Sequence, residues 1–347
     1  MTLTVGIEPQ GASVRDMGEI AAAADAAGLD AAWTPELYNR SATITLAEMA
    51  HRTTRCRVGT AIAYGVGRSP LVLAAEARDL DELSDGRFVL GLGNGTRRMI
   101  SDWHGQDPDA PAVRMEELVT LVRRLWRVHE APVDHDGRFY RLHFAPTGEL
   151  QPPLREHLPI YTAGVNPRMV EVAGRVADGL LGHTLFTPEH IMEVVRPAIA
   201  KGADRAGRDV SEIAVASLVF ACVHEDAEVA RREVAAQIAF YASVKTYTNL
   251  LEAIGFGAAG AAIREAFARG DHAAMVAAVP DAMVDALAVA GTPDDVRAQL
   301  RRYEGVLDHA ILYTPSFGLS PERVRESALG LIAACAAEPQ EVSCSTP

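Results

Sequence analysis

Short runs of β-branched and small apolar residues alternate along this chain with longer amphipathic segments, and that rhythm limits the fold more than any other feature. Eight such runs read as strands: Thr4–Glu8, Ala31–Pro35, Arg57–Tyr64, Phe88–Leu92, Pro159–Ala163, Gly179–Leu185, Ile213–Val223 and His309–Tyr313. Each is linked to a segment of helical period. In the first, Val14, Met17, Ile20, Ala21 and Ala24 fall on one face, with Ser13 placed to cap the start and Gly28 to stop the end. Helices are expected near 45–53, 70–83, 112–129, 167–176, 188–206, 227–241, 292–303 and 321–335. Strand–helix alternation implies a parallel sheet with right-handed crossovers. Eight units fit a closed α/β cylinder, the (β/α)8 TIM barrel, better than an open doubly wound sheet.

Two stretches break the rhythm. Residues 130–158 carry Pro132, Pro146, Pro152 and Pro153 and read as an extended excursion. Residues 243–291 are alanine-rich, lack convincing strands and read as a helical insertion. A single barrel domain over 1–336 is therefore expected, with 337–347 as a disordered tail.

Charge and composition remove whole classes of function. Acidic residues outnumber basic ones by 46 to 33, a formal charge of −13, which argues against nucleic-acid binding. No apolar run approaches the roughly 20 residues that span a bilayer. The opening MTLTVGIEPQ lacks the basic and apolar parts of a secretion signal, so a cytoplasmic protein is expected. Cys56, Cys222, Cys335 and Cys344 are scattered and read as thiols in a reducing compartment. The histidines form neither HExxH nor a Cys/His knot, so no metal is expected.

In a barrel of this kind chemistry sits at the C-terminal ends of the strands. Glu8 closes the first strand; in apolar surroundings its charged form is disfavoured, which makes a carboxyl a proton donor near neutral pH. An N-cap or a rim ion pair is the plainer reading. Glu36, Tyr38 and Asn39 follow the second strand and either contact a ligand or stabilise their own loop. Small residues from Thr60 to Gly67 permit close backbone approach to a flat ligand, and Arg68 either meets an anion or decorates the surface. Gly93, Asn94, Gly95 and Thr96 form a glycine-rich turn that is not GxGxxG, followed by Arg97 and Arg98, which hold a polyanionic tail or start a solvated helix. Ala163, Gly164 and Val165 lead into a helix at Pro167, an arrangement that suits an anion or an ordinary loop.

These motifs coincide in one known pattern. VGIE at the start, GTAIA in the third strand, LDELSDGRFVLGLGNG at 80–95, PIYTAGVNP at 159–167 and VADGLL at 176–181 together resemble the bacterial luciferase-like superfamily. The nearer resemblance is to the branch that uses the deazaflavin coenzyme F420, methylenetetrahydromethanopterin reductases in particular; the segment 268–296 supports it, and the resemblance covers nearly the whole chain.

The resemblance implies a role for each matching residue. Glu8 matches a glutamate proposed to protonate or polarise substrate, and Ala61-Ile62 a non-proline cis peptide behind the deazaflavin ring, with Ala63 beside it. Gly93 to Thr96 match the loop along the cofactor's side chain, and Ala163 to Val165 the region holding its phosphate. Two positions depart from the pattern: Glu36-Leu37 replaces the branch's usual Asp-His, and Thr96 replaces an acidic residue. The expected activity is hydride transfer between reduced F420 and a C=N, iminium or activated C=C bond of a small molecule. An FMN-dependent monooxygenase and a non-catalytic cofactor-binding paralogue are the alternatives, and a homodimer or larger homo-oligomer is expected.

Overall fold

The structure is a computed structural model that describes residues 2–336. The tail 337–347, and Cys344 with it, lies outside the described residues. Eight strands close into a cylinder: β1 (Thr4–Glu8), β2 (Ala31–Thr34), β3 (Arg57–Thr60), β5 (Phe88–Gly93), β8 (Ile160–Ala163), β9 (Gly179–Gly182), β10 (Ala214–Val223) and β12 (His309–Tyr313). Each pairs in parallel with its neighbours round the ring, and β12 returns to β1 over five residue pairs, from Thr4–His309 to Glu8–Tyr313. The expected (β/α)8 barrel is the observed fold.

Helices α1 (Val14–Ala26), α2 (Ala42–Arg52), α3 (Pro70–Leu83), α4 (Pro111–Trp126) and α5 (Pro167–Val176) cover the first half of the ring. The second half is covered by α6 (Pro188–His190), α7 (Arg196–Ala206), α8 (Ala227–Ala242), α13 (Pro293–Leu300) and α14 (Pro321–Cys335). Their starts are written in local chemistry. Ser13, Ser41, Ser69, Asn166 and Ser320 each accept a hydrogen bond from a backbone N–H in the first turn, which satisfies an otherwise orphaned donor. Proline follows several of these caps, where its missing N–H costs nothing.

Three departures from the sequence reading have physical causes. The third strand divides at a cis Ala61-Ile62 peptide bond, and β4 (Ala63–Tyr64) resumes pairing with β5 beyond it. The excursion at 130–158 contains an antiparallel hairpin, β6 (Val133–Asp136) and β7 (Arg141–Phe144), which lies on the surface and so lacks a strong apolar alternation. The insertion holds the short helices α9 (Thr248–Ala253), α10 (Gly257–Ala268), α11 (His272–Ala277) and α12 (Asp281–Leu287), then a strand, β11 (Ala288–Gly291). That strand reads AVAG, too short and small-sided to signal itself, and forms because it pairs with the upper part of β10.

Inside the cylinder, residues two apart on each strand face the axis. Ala31, Trp33, Val89, Tyr161, Leu181, Ala216 and Ile311 pack together as its buried filling. Below them a polar chain runs across the floor. The Trp33 indole N–H donates to His309 Nε2 at 3.0 Å, so the ring's proton sits on Nδ1, which lies 2.8 Å from Thr4 Oγ1. Thr4 in turn donates to the Asp308 carbonyl at 3.0 Å. Gly6 has no room for more: a Cβ there would meet His309 Nε2 at 2.6 Å and the Ala31 carbonyl at 2.7 Å. Burial, and then the nearby Arg57 charge, pull His309 down to about 4, so it stays neutral in the folded state. Unfolded histidine titrates near 6.5. As pH falls from about 6.5 to 4, the unfolded chain therefore gains a proton that the folded chain refuses, lowering stability by up to about 1.4 kcal/mol per pH unit at this one site. Urea unfolding midpoints across that range should fall more steeply for the native chain than for His309→Asn.

Candidate active site

The upper rim of the barrel has two unlike halves. Ala61 and Ile62, between β3 and β4, lie there with Gly93 of β5 and Ala163 of β8, while the Ala63 side chain packs outward under the helices with Leu92. The strands fix their neighbourhood, since Ala63 pairs with Leu92, Tyr64 with Gly93, and Leu92 with Thr162. Gly93 lies directly against Ile62, whose side chain would stand 2.8 Å from any added Cβ. The Glu36 N–H donates to the Ile62 carbonyl at 2.8 Å, tying the loop after β2 to this half.

The other half comes from β9, β10, β12 and β1, four consecutive staves. Glu8 ends β1 opposite Tyr313, and Tyr313 lies opposite Phe220 on β10. Beyond β9, His183 continues the inward positions of Gly179 and Leu181. Helix α8 lowers Tyr241 onto this row, with ring centroids 5.9 Å from Tyr313, 5.4 Å from Phe220 and 5.5 Å from His183. Tyr247, from the insertion, lies 4.4 Å from His183.

Glu8 is 1% exposed. Its Oε1 accepts from Gln10 Nε2 at 3.1 Å, while Oε2 is buried with no hydrogen-bond partner. Burial alone drives its carboxyl well above the ordinary range, because no cation or donor set offsets the lost hydration. Burial therefore favours the protonated form, on a group with a free oxygen. Burial likewise drives the Tyr241 hydroxyl far up and holds His183 down at about 3. Burial disfavours charge on all three of these groups.

Other candidates are placed differently. The Glu36 carboxylate is spent on structure: it accepts from Arg68 at 2.6 and 2.8 Å and from the Tyr64 N–H at 2.9 Å. Arg68 also pairs with Glu76 at 2.7 Å, so its charge is neutralised. Tyr38 and Asn39 lie exposed on the outer loop, Tyr38 edge-on to Trp103 at 5.7 Å. Asn94 turns away from the rim and donates to the Pro111 carbonyl at 3.1 Å. Gly95 adopts φ +70° against the Tyr64 ring, and Thr96 accepts from the Met99 N–H at 3.2 Å. At α5, Asn166 already occupies the Met169 N–H, leaving the Ala163–Val165 turn and Arg168 beside the helix start. Among the described residues no group of histidine, cysteine and carboxylate side chains is arranged to hold a metal, and no helix is long and apolar enough to cross a membrane.

Sequence reasoning passed over His183, Tyr313, Tyr241 and Tyr247. The first two carried a signal: Tyr313 closes the last strand as Glu8 closes the first, and His183 stands two residues past a core leucine.

Comparison with known proteins agrees with this architecture. Residues 2–310 match the luciferase-like monooxygenase family. The chain belongs to that family. Within it, an uncharacterised protein of Mycobacterium tuberculosis is 34% identical over 310 residues, covering 84% of this chain and 90% of the relative. A 5,10-methylenetetrahydromethanopterin reductase of Methanolobus tindarius is 32% identical over 303 residues, covering 86% and 90%. Among solved structures, the coenzyme F420-dependent tetrahydromethanopterin reductase of Methanopyrus kandleri superposes with a TM-score of 0.81 at 23% identity, over 97% of this chain and 98% of that one.

The Glu8 environment makes a direct prediction. Above about pH 4.3 an unfolded glutamate ionises, while burial defers the ionisation of Glu8 in the folded chain to higher pH, so rising pH through that window destabilises the native chain. Glu8→Gln removes this effect. Its stability advantage in urea unfolding should widen from pH 5 to pH 8; a constant difference would mean that Glu8 ionises freely.

Proposed function

We propose that this protein is an F420-dependent oxidoreductase that reduces a C=N or activated C=C bond of a small molecule, with Glu8 as proton donor. The observation that carries this reading is the buried, unpartnered Oε2 of Glu8 at the rim. Curated relatives named as F420-dependent enzymes support the choice of cofactor, including a putative coenzyme F420-dependent oxidoreductase of Mycobacterium tuberculosis at 28% identity. The residues present suit a flat deazaflavin. Ala61 offers a small side chain and the Ala61-Ile62 backbone a close approach on one side, with the Ile62 side chain packed over Gly93 and Ala63 supporting them from behind. The turn Ala163–Val165, with Arg168 and the start of α5, would receive its phosphate. Gly95 and Thr96 would border its side chain, while Glu36 and Asn94 would serve by shaping the walls.

When bound, the reduced deazaflavin supplies a hydride; the protein supplies orientation, exclusion of water and a proton. The small-sided half of the rim would hold the ring, leaving the acceptor to the half formed by Glu8, Tyr313, Tyr241 and His183. Reduction leaves negative charge on the acceptor's nitrogen or carbon, and the protonated Glu8 delivers its proton there from Oε2. General acid catalysis of this kind contributes about 10²–10⁴-fold. The Arg68–Glu36–Tyr64 bonds hold the loop that closes the small-sided half.

A cytoplasmic homo-oligomer with a small-molecule substrate and no nucleic-acid partner completes this reading. Glu8→Gln should lower turnover by at least about 100-fold while F420 affinity, followed by the coenzyme's visible absorbance, changes little. Equal turnover in that variant would remove Glu8 from the reaction. The competing FMN reading, for which the family's monooxygenases argue, requires oxygen consumption with reduced FMN; oxygen-independent turnover with F420 excludes it.

A further inference from the structure

We propose that His183 is a second catalytic residue of the rim, whose Nε2–H donates a hydrogen bond to the heteroatom of an uncharged conjugated acceptor, an enone, enal or neutral imine. This rests on the F420 reading above and narrows its substrate class.

The tautomer follows from geometry. The Leu185 N–H donates to His183 Nδ1 at 3.2 Å, so that nitrogen holds a lone pair and the ring proton is on Nε2. No described residue accepts a hydrogen bond from Nε2, although the ring is wedged between Tyr247 at 4.4 Å and Tyr241 at 5.5 Å. The rim thus carries a half-buried imidazole whose N–H bonds no described residue, and, on the same row, the buried unpartnered Oε2 of Glu8.

Their surroundings choose the ligand. The path from His183 to Glu8 runs through Tyr241, Phe220 and Tyr313, without a charged side chain among them. Arg68, at the rim, is already paired with Glu36 and Glu76. The aromatic lining of this row offers no ion pair to a cationic iminium, a carboxylate or a phosphate. A neutral C=C–C=O group would take a hydrogen bond from His183 at its oxygen and a proton from Glu8 at its α-carbon. The hydride adds to the β-carbon, the π pair moves to the oxygen facing His183, and the proton of Glu8 closes the new C–H bond at the α-carbon. The oxidised deazaflavin and the ionised Glu8 balance the step, and solvent returns the proton.

The test has two readouts. In the first, 4-(dimethylamino)cinnamaldehyde is added to the protein without cofactor; its visible band moves to longer wavelength when the carbonyl accepts a hydrogen bond. The native chain should produce the shift, His183→Phe should lose it, and His183→Gln, which keeps an N–H, should restore part of it. In the second, 2-cyclohexen-1-one and the N-methyl-3,4-dihydroisoquinolinium cation are compared as acceptors with reduced F420 in the absence of oxygen. The enone should be preferred, and His183→Phe should lower its kcat/KM by about 100-fold, the scale of a lost transition-state donor. Preference for the cation, an unshifted probe, or full enone turnover in His183→Phe would each overturn the assignment. A shifted probe that responds to His183 without F420 turnover of either acceptor would uphold the donor and overturn the F420 reading instead.

Discussion

Everything at the rim depends on how the first strand meets the last. Parallel pairing of β1 with β12 over five residues closes the cylinder and fixes which side chains face its axis. A slip of one residue would turn Glu8 outward and bring Ile7 in. The floor resists that slip: Trp33, His309 and Thr4 interlock there through hydrogen bonds that a displaced strand could not make. Gly6, with no room for a Cβ, permits the strands to come that close. The same register that buries His309 at the bottom buries the Glu8 carboxyl at the top.

The two halves of the rim express one division of labour. The Ala61-Ile62 turn between β3 and β4, with Ala163 on β8, leaves backbone surface for something flat. Aromatic and hydrogen-bonding residues on the opposite staves surround whatever faces it. Catalysis by hydride transfer needs both partners held face to face in a dry space, and a proton source that does not require a water molecule. The proposed role of Glu8 answers the second need, since burial favours its protonated form.

Much of this was legible in the sequence, for physical reasons. Barrel strands are short, apolar and regularly spaced, so their number and order could be read, and Glu8 stood out as a carboxylate at the end of an apolar run. The Ala61-Ile62 bulge and the glycine turn were visible through family resemblance, not through periodicity. What escaped belongs to tertiary placement. Tyr241 sits on an ordinary amphipathic helix and Tyr247 in an alanine-rich insertion, and only the packing of α8 and the insertion over β9 and β10 brings them to the rim. Glu36 shows the converse: a carboxylate at a strand end looked like a ligand contact, but a nearby arginine claimed it. The hairpin at 133–144 and strand β11 were hidden because neither carries a run of bulky β-branched residues.

Strand β10 is ten residues long and serves two masters. Its lower part is a stave of the cylinder, paired with β12, while its upper part runs past the rim to take β11 as a partner. The segment that supplies Tyr247 is thus hinged to the catalytic wall by a sheet extension instead of a loose tether. Lineages that lengthen, shorten or exchange this graft can remodel the roof above the acceptor while the eight staves beneath keep their alignment, which is a structural route to new chemistry on an unchanged chassis.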